Sequence, residues 1–149
     1  MAENAAATPE QTSKAAEVAT HTGPIFKKTI EDTMANAIER ATNALKANGF
    51  GVLTRLDMHE IIKKKIDKDM IPTVLLGACN PHLAYQAVCM NSDITSVLPC
   101  NAVLREVEPG TISVEFARPS TLLGVIGDNT LVKVAADADC KMKAAHDSV

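Results

Sequence analysis

The chain has 149 residues, enough for one domain with its own core, and a formal net charge of -3. A mildly acidic chain does not attract phosphate backbones, and with no Trp, one Tyr and three Phe it offers few platforms for stacking bases. No apolar stretch approaches the ~20 residues that span a bilayer, and no signal or transit segment is visible, so the expected setting is the cytoplasm.

Residues 1–23 are rich in Ala, Glu, Thr and Ser and are expected to form a flexible tail, with Thr8-Pro9 as a possible helix start and His21 without a visible partner. Residues 24–149 are expected to form a single α+β domain. Ile25 to Ile30 reads as a strand. A helix is predicted over Asp32 to Asn48, because Met34, Ala37, Ile38, Ala41, Ala44 and Leu45 fall on one stripe. Gly49 sits where a left-handed C-terminal cap belongs.

Phe50 to Leu56 reads as a second strand. Asp57 with Glu60 three later predicts a reciprocally capped helix, with Met58, Ile61, Ile62 and Ile66 facing inward. The basic run Lys63-Lys64-Lys65 on it reads as a solvated face. Thr73 to Ala78 is continuously apolar, as in a strand buried on both faces.

Asn80-Pro81 marks a further helix start, with Leu83, Ala84, Ala87 and Val88 as its buried stripe. Cys100 to Val107 and Thr111 to Ala117 read as a hairpin, joined at Glu108-Pro109-Gly110 by a type II turn. Residues 120–127 carry no assignable pattern. Asp128 caps a last predicted helix over 130–146, with Leu131, Val134, Ala135, Ala138 and Met142 on its stripe.

The chain contains no GxGxxG, GxxxxGK[ST], CxxC or HxxxH pattern, so neither a phosphate loop nor a closed zinc site has sequence support. Four cysteines remain: Cys79, Cys89, Cys100 and Cys140. Without a secretory signal they are expected to be free thiols.

Cys79 ends a predicted strand just before a helix N-terminus, which favours anions and can lower a thiol pKa. Cys100 begins another strand. If the two strands pair antiparallel, both thiols lie at one end of the sheet; if parallel, they lie about 20 Å apart. Cys79, Asn80, Tyr85, Cys100 and Asn101 are therefore the candidate binding residues, with no metal site and no cofactor assigned.

For Tyr85 the bland alternative is a ring in the core with its hydroxyl at the edge. His59 and His82 read as surface histidines in first helical turns. Cys89 reads as packing, and Cys140 and His146 as peripheral.

Three runs carry a likeness to a known family: Ala44-Leu-Lys-Ala-Asn-Gly-Phe-Gly-Val-Leu-Thr-Arg-Leu-Asp57, Leu76-Gly-Ala-Cys-Asn-Pro-His-Leu-Ala-Tyr85 and Leu98-Pro-Cys-Asn-Ala-Val-Leu104. Over roughly residues 25–145 the chain resembles domain-of-unknown-function family 302. The resemblance implies a TATA-binding-protein-like α+β fold: a curved, mainly antiparallel sheet of about five strands with helices packed on one face, often dimeric. It brings no established activity. The family's usual Asp-Pro after the hairpin is Arg118-Pro119 here.

Two readings follow. One is a ligand- or partner-binding homodimer with a polar site at the strand ends, taking a small molecule and neither nucleic acid nor membrane. The other is a thiol-dependent redox or metal-handling protein using Cys79 and Cys100.

Overall fold

The computed structural model describes residues 23–149. The expected tail, with its helix start at Thr8-Pro9 and His21, lies outside the described residues. Five strands form one antiparallel sheet: β1 (Ile25–Glu31), β2 (Gly51–Asp57), β3 (Thr73–Cys79), β4 (Cys100–Glu108) and β5 (Thr111–Ala117), in the order β1-β5-β4-β3-β2. The helices α1 (Met34–Ala47), α2 (Met58–Ile66), α3 (Pro81–Met90), α4 (Pro119–Gly124) and α5 (Val132–Asp147) complete an α+β fold with helices on one face of the sheet.

Local chemistry explains most boundaries. Thr33 caps α1, its hydroxyl accepting from the Asn36 N–H. Gly49 follows α1 with φ +85° and Gly110 turns the β4–β5 hairpin at φ +81°, both in the left-handed region that favours glycine. Asp128 caps a 3₁₀ turn, Asn129–Leu131, that leads into α5. Residues without a sequence pattern include α4, which Pro119 opens at its first turn.

The main core lies between the sheet and α1 and α5, where Phe26, Leu45, Leu76, Leu104, Val114, Phe116 and Met142 are buried. A second, smaller cluster joins α3, α4, α5 and the 3₁₀ turn Ser92–Val97 through Ala87, Ile94, Leu123, Leu131 and Val134. The side chain of His146 is part of the main core, not peripheral. It is 3% exposed, its Nε2 lies 3.0 Å from the Val114 carbonyl oxygen, and its ring packs against Phe26 and Phe116.

Several expectations are overturned. The stripe on α2 is not an inner face: no residue of this helix is buried, and Ile61 and Ile66 are exposed. The helix follows β2, an edge strand, so only the sheet margin is there to cover it. Asp57 makes no cap bond; its carboxylate instead takes the guanidinium of Arg55 at 2.8 Å. His59 is tied down, its Nδ1 accepting the Thr73 backbone N–H at 3.0 Å. Cys89 is exposed rather than packed.

Candidate functional site

The direction of β3 against β4 settles where the two central thiols lie. The strands pair antiparallel, with Ala78 opposite Cys100 and Gly77 opposite Asn101. Cys79, one residue beyond Ala78, therefore lies beside the start of β4. Cys79 and Cys100 are both among the residues that line one cavity of about 40 Å³ at this end of the sheet. No disulfide joins them.

Asn80 shapes the entrance to α3. Its Oδ1 accepts the Leu83 N–H at 3.1 Å, and the side chain is buried. Its amide nitrogen lies against Gly49, 2.8 Å from where a Cβ would stand. The end of α1 and the start of α3 are thus joined through one side chain.

The cavity occupies the seam between the two hydrophobic clusters. Phe50, Ala78 and Cys100 come from the main core; Ala87, Ile94, Leu123 and Val134 come from the second. Leu98 and Leu122 also line it. A buried water needs about 10–15 Å³, so this space admits a small group rather than a whole metabolite. Its lining residues are hydrocarbon ones except for Cys79, Asn80 and Cys100.

Burial raises the pKa of Cys79 above the ordinary thiol range. Cys100 is more deeply enclosed: burial first, then the neighbouring Cys79 and Asp139 charges, raise it to about 11. This is opposite to what a helix N-terminus alone would give, because loss of hydration outweighs the partial charge. At neutral pH both groups are thiols.

Two of the five expected residues are elsewhere. Tyr85 is 73% exposed, so neither a pocket-facing hydroxyl nor a core-packed ring describes it. It lies on α3 two positions before Ala87, the buried residue of that helix, and points to solvent. Asn101 is exposed, next to buried Cys100 and Ala102, because successive strand residues face opposite sides of the sheet. Cys79, Asn80 and Cys100 are the three that the fold brings together.

The lining residues missed by sequence reasoning come from remote segments. Leu122 and Leu123 lie on α4, a stretch with no periodic signal, and Ile94 lies on a 3₁₀ turn. Gly49 had a signal, its place after α1, but not one that pointed to Asn80.

Among the described residues, no group of three or more His, Cys, Asp or Glu side chains is placed to hold a metal ion. Among them, too, no helix is long and apolar enough to cross a membrane.

The fold is shared with a solved protein. The crystal structure of an uncharacterized conserved DUF302 protein from Bacillus stearothermophilus is 30% identical in sequence and superposes with a TM-score of 0.77, over 84% of this chain and 97% of that one. No curated protein matches the chain. The family model for the domain of unknown function DUF302 matches residues 26–149, which takes in every strand but the first residue of β1 and all five helices; the chain belongs to the DUF302 family.

Proposed function

We propose that the chain is a binding module whose site is the cavity bounded by Cys79, Asn80 and Cys100. The observation that supports this is that Cys79, Asn80 and Cys100 are the residues other than hydrocarbon ones that line an otherwise apolar space. Burial keeps both thiols protonated, which favours recognition over nucleophilic or redox chemistry. The ligand presents a small apolar or soft group and reaches the space past half-buried Cys79.

Xenon, a small apolar probe, tests the placement. In amide-resolved spectra recorded under xenon pressure, the signals of Ala78, Asn80, Ala87 and Cys100 should shift. Ala84→Leu, on the cavity wall, should abolish those shifts. Absence of shifts, or identical shifts in the variant, would place the site elsewhere.

A second copy of the chain is the partner we infer. β2 is an edge strand with unpaired backbone groups, and an edge run antiparallel to itself about a two-fold axis is self-complementary. Beside it, Leu53 (67% exposed), Leu56, Ile61, Ile66 and Met70 form an uncovered apolar margin. Sedimentation velocity should give a dimer that Leu53→Lys converts to monomer without loss of helical circular dichroism. A monomeric parent protein would exclude this reading.

A further inference from the structure

We propose that two copies of the chain join their β2 edges about a two-fold axis through Leu56, so that Arg55 of each copy faces Asp57 of the other. This rests on the reading of a second copy as partner and adds to it the register and the residues that select it.

The backbone limits the choices first. β2 stands at the end of the sheet order and, among the described residues, pairs only with β3. In an extended strand alternate residues turn their N–H and C=O groups to the same side, so every second residue of β2 presents free groups outward. Across two identical edges run antiparallel about a two-fold axis, an outward residue must meet an outward one. Sequence neighbours never satisfy this. The axis therefore passes through a residue, which faces its own copy. The other edge, β1, carries Lys27 and Lys28, side chains that blunt an edge against pairing.

Regularity and charge choose the residue. The β2–β3 register shifts between Val52 and Thr54, which breaks the alternation in the first half of the strand. The regular stretch runs from Thr54 to Asp57, opposite Gly77 to Val74. An axis through Arg55 or Asp57 would set a charge against its own like, which is destabilising. An axis through Thr54 would set Arg55 against the partner's Leu53, across the bulge. An axis through Leu56 sets Arg55 against the partner's Asp57 and Asp57 against the partner's Arg55, two opposite-charge pairs at once. Within one chain these side chains already meet, Arg55 Nε with Asp57 Oδ1 at 2.8 Å and Arg55 Nη2 with Asp57 Oδ2 at 3.3 Å. Both lie on one side of the sheet, so the four charges of two copies close into a ring of alternating sign. Leu56, 48% exposed, meets its own copy on the other side, beside Leu75.

The same axis covers the apolar margin. Leu53 of one copy falls opposite residue 59 of the other, in the first turn of α2. A cleft of about 380 Å³ between β2 and α2 lies next to that point, lined by Arg55, Leu56, Asp57, Glu60, Ile61 and Lys64. Leu53 and Ile61, 67% and 36% exposed in one chain, are brought together across the interface. A few cross-strand pairs alone fall short of the ~1,200 Å² that a stable interface buries, and the exposed face of α2 supplies further area.

Charge exchange tests the register in the full, reduced chain. By sedimentation velocity, Arg55→Asp and Asp57→Arg should each dimerise at least about tenfold more weakly than the parent, because each sets like charges face to face, with helical circular dichroism unchanged. Mixed one to one they should recover the dimer, since every facing pair is again opposite in sign. The double variant Arg55→Asp, Asp57→Arg should dimerise on its own. In a Cys89→Ser, Cys140→Ser background, oxidation of Leu56→Cys should give a covalent dimer, because residues facing across an antiparallel pair have Cα atoms about 4.5–5.5 Å apart, within disulfide reach. Thr54→Cys, which faces the partner's residue 58, should not. This cross-linking arm carries the test where a charge variant loses its helical signal. Single variants that dimerise like the parent, a mixture no better than its components, or equal cross-linking at residues 54 and 56 overturn the register. If that happens while Leu53→Lys still dissociates the parent, the β2-edge reading stands; a monomeric parent removes both.

Discussion

The side-chain amide of Asn80 occupies the space that a Cβ on Gly49 would need, at 2.8 Å. Gly49 also has φ +85°, where a side chain costs about 1–2 kcal/mol. Gly49→Ala should therefore destabilise the protein by more than the backbone term alone, about 2 kcal/mol or above. Asn80→Ala alone should cost about 0.5–2 kcal/mol through the lost cap. In the double variant the clash disappears, so the two costs should add to less than their sum. Urea unfolding of the four proteins measures that coupling, and strict additivity would show that the contact carries no energy.

Gly77 is the second glycine that a neighbour requires. A Cβ there would collide with the Thr54 hydroxyl and lie 2.9 Å from Cγ of Pro99. Gly77→Ala should cost about 1–3 kcal/mol by overpacking. Thr54→Ala removes only one of the two obstacles and should restore part of the loss. Full rescue would mean that the Pro99 ring shifts freely.

The thiols should divide by exposure. Cys89 and Cys140 are exposed, whereas Cys79 is half-buried and Cys100 is 8% exposed with its pKa raised to about 11. Brief treatment with iodoacetamide near pH 7, read by peptide mass spectrometry, should label Cys89 and Cys140 first. Cys100 should be last, labelled mainly on unfolding. Rapid labelling of Cys100 in the folded protein would revive the nucleophilic reading of this site.

What the sequence revealed depends on the range of each signal. The α1 stripe, the Gly49 cap, the Asn80 cap and the hairpin at Gly110 are written in neighbouring residues, and each has its place in the fold. The antiparallel pairing of β3 with β4 is a long-range fact, and residue patterns left both directions open. The apolar stripe of α2 is real, yet periodicity cannot say whether anything covers it. Tyr85 and Asn101 are near Cys79 and Cys100 in sequence but turn away, because helix and strand periodicity sends close neighbours to different faces. The cavity wall was invisible for the same reason that α4 was: six residues are too few to show a period.

His146 should impose a pH dependence on stability. Its Nε2 faces a carbonyl oxygen, which can only accept, so the proton sits on Nε2 of the neutral ring. Burial lowers its pKa below the ordinary 6.5, against the Val114 hydrogen bond, which acts in the opposite direction. The unfolded chain then binds a proton near pH 6.5 while the folded chain does not. The resulting stability is fully present above pH 6.5 and declines as pH falls towards the lower, folded value. The carboxylates whose pKa values are depressed, Asp32, Asp57, Glu115 and Asp128, start from ordinary values of 3.8 to 4.5 and lose their share in a more acidic range. For Glu115 burial pushes upward, and the Arg105 and Ser113 hydrogen bonds with the nearby cations outweigh it. Chemical denaturation at a series of pH values should show a decline beginning near 6.5. His146→Gln keeps a donor for the Val114 carbonyl but cannot titrate, so its curve should be flatter between pH 6.5 and 5 although its overall stability is lower. An unchanged slope in this variant would assign the dependence to another group.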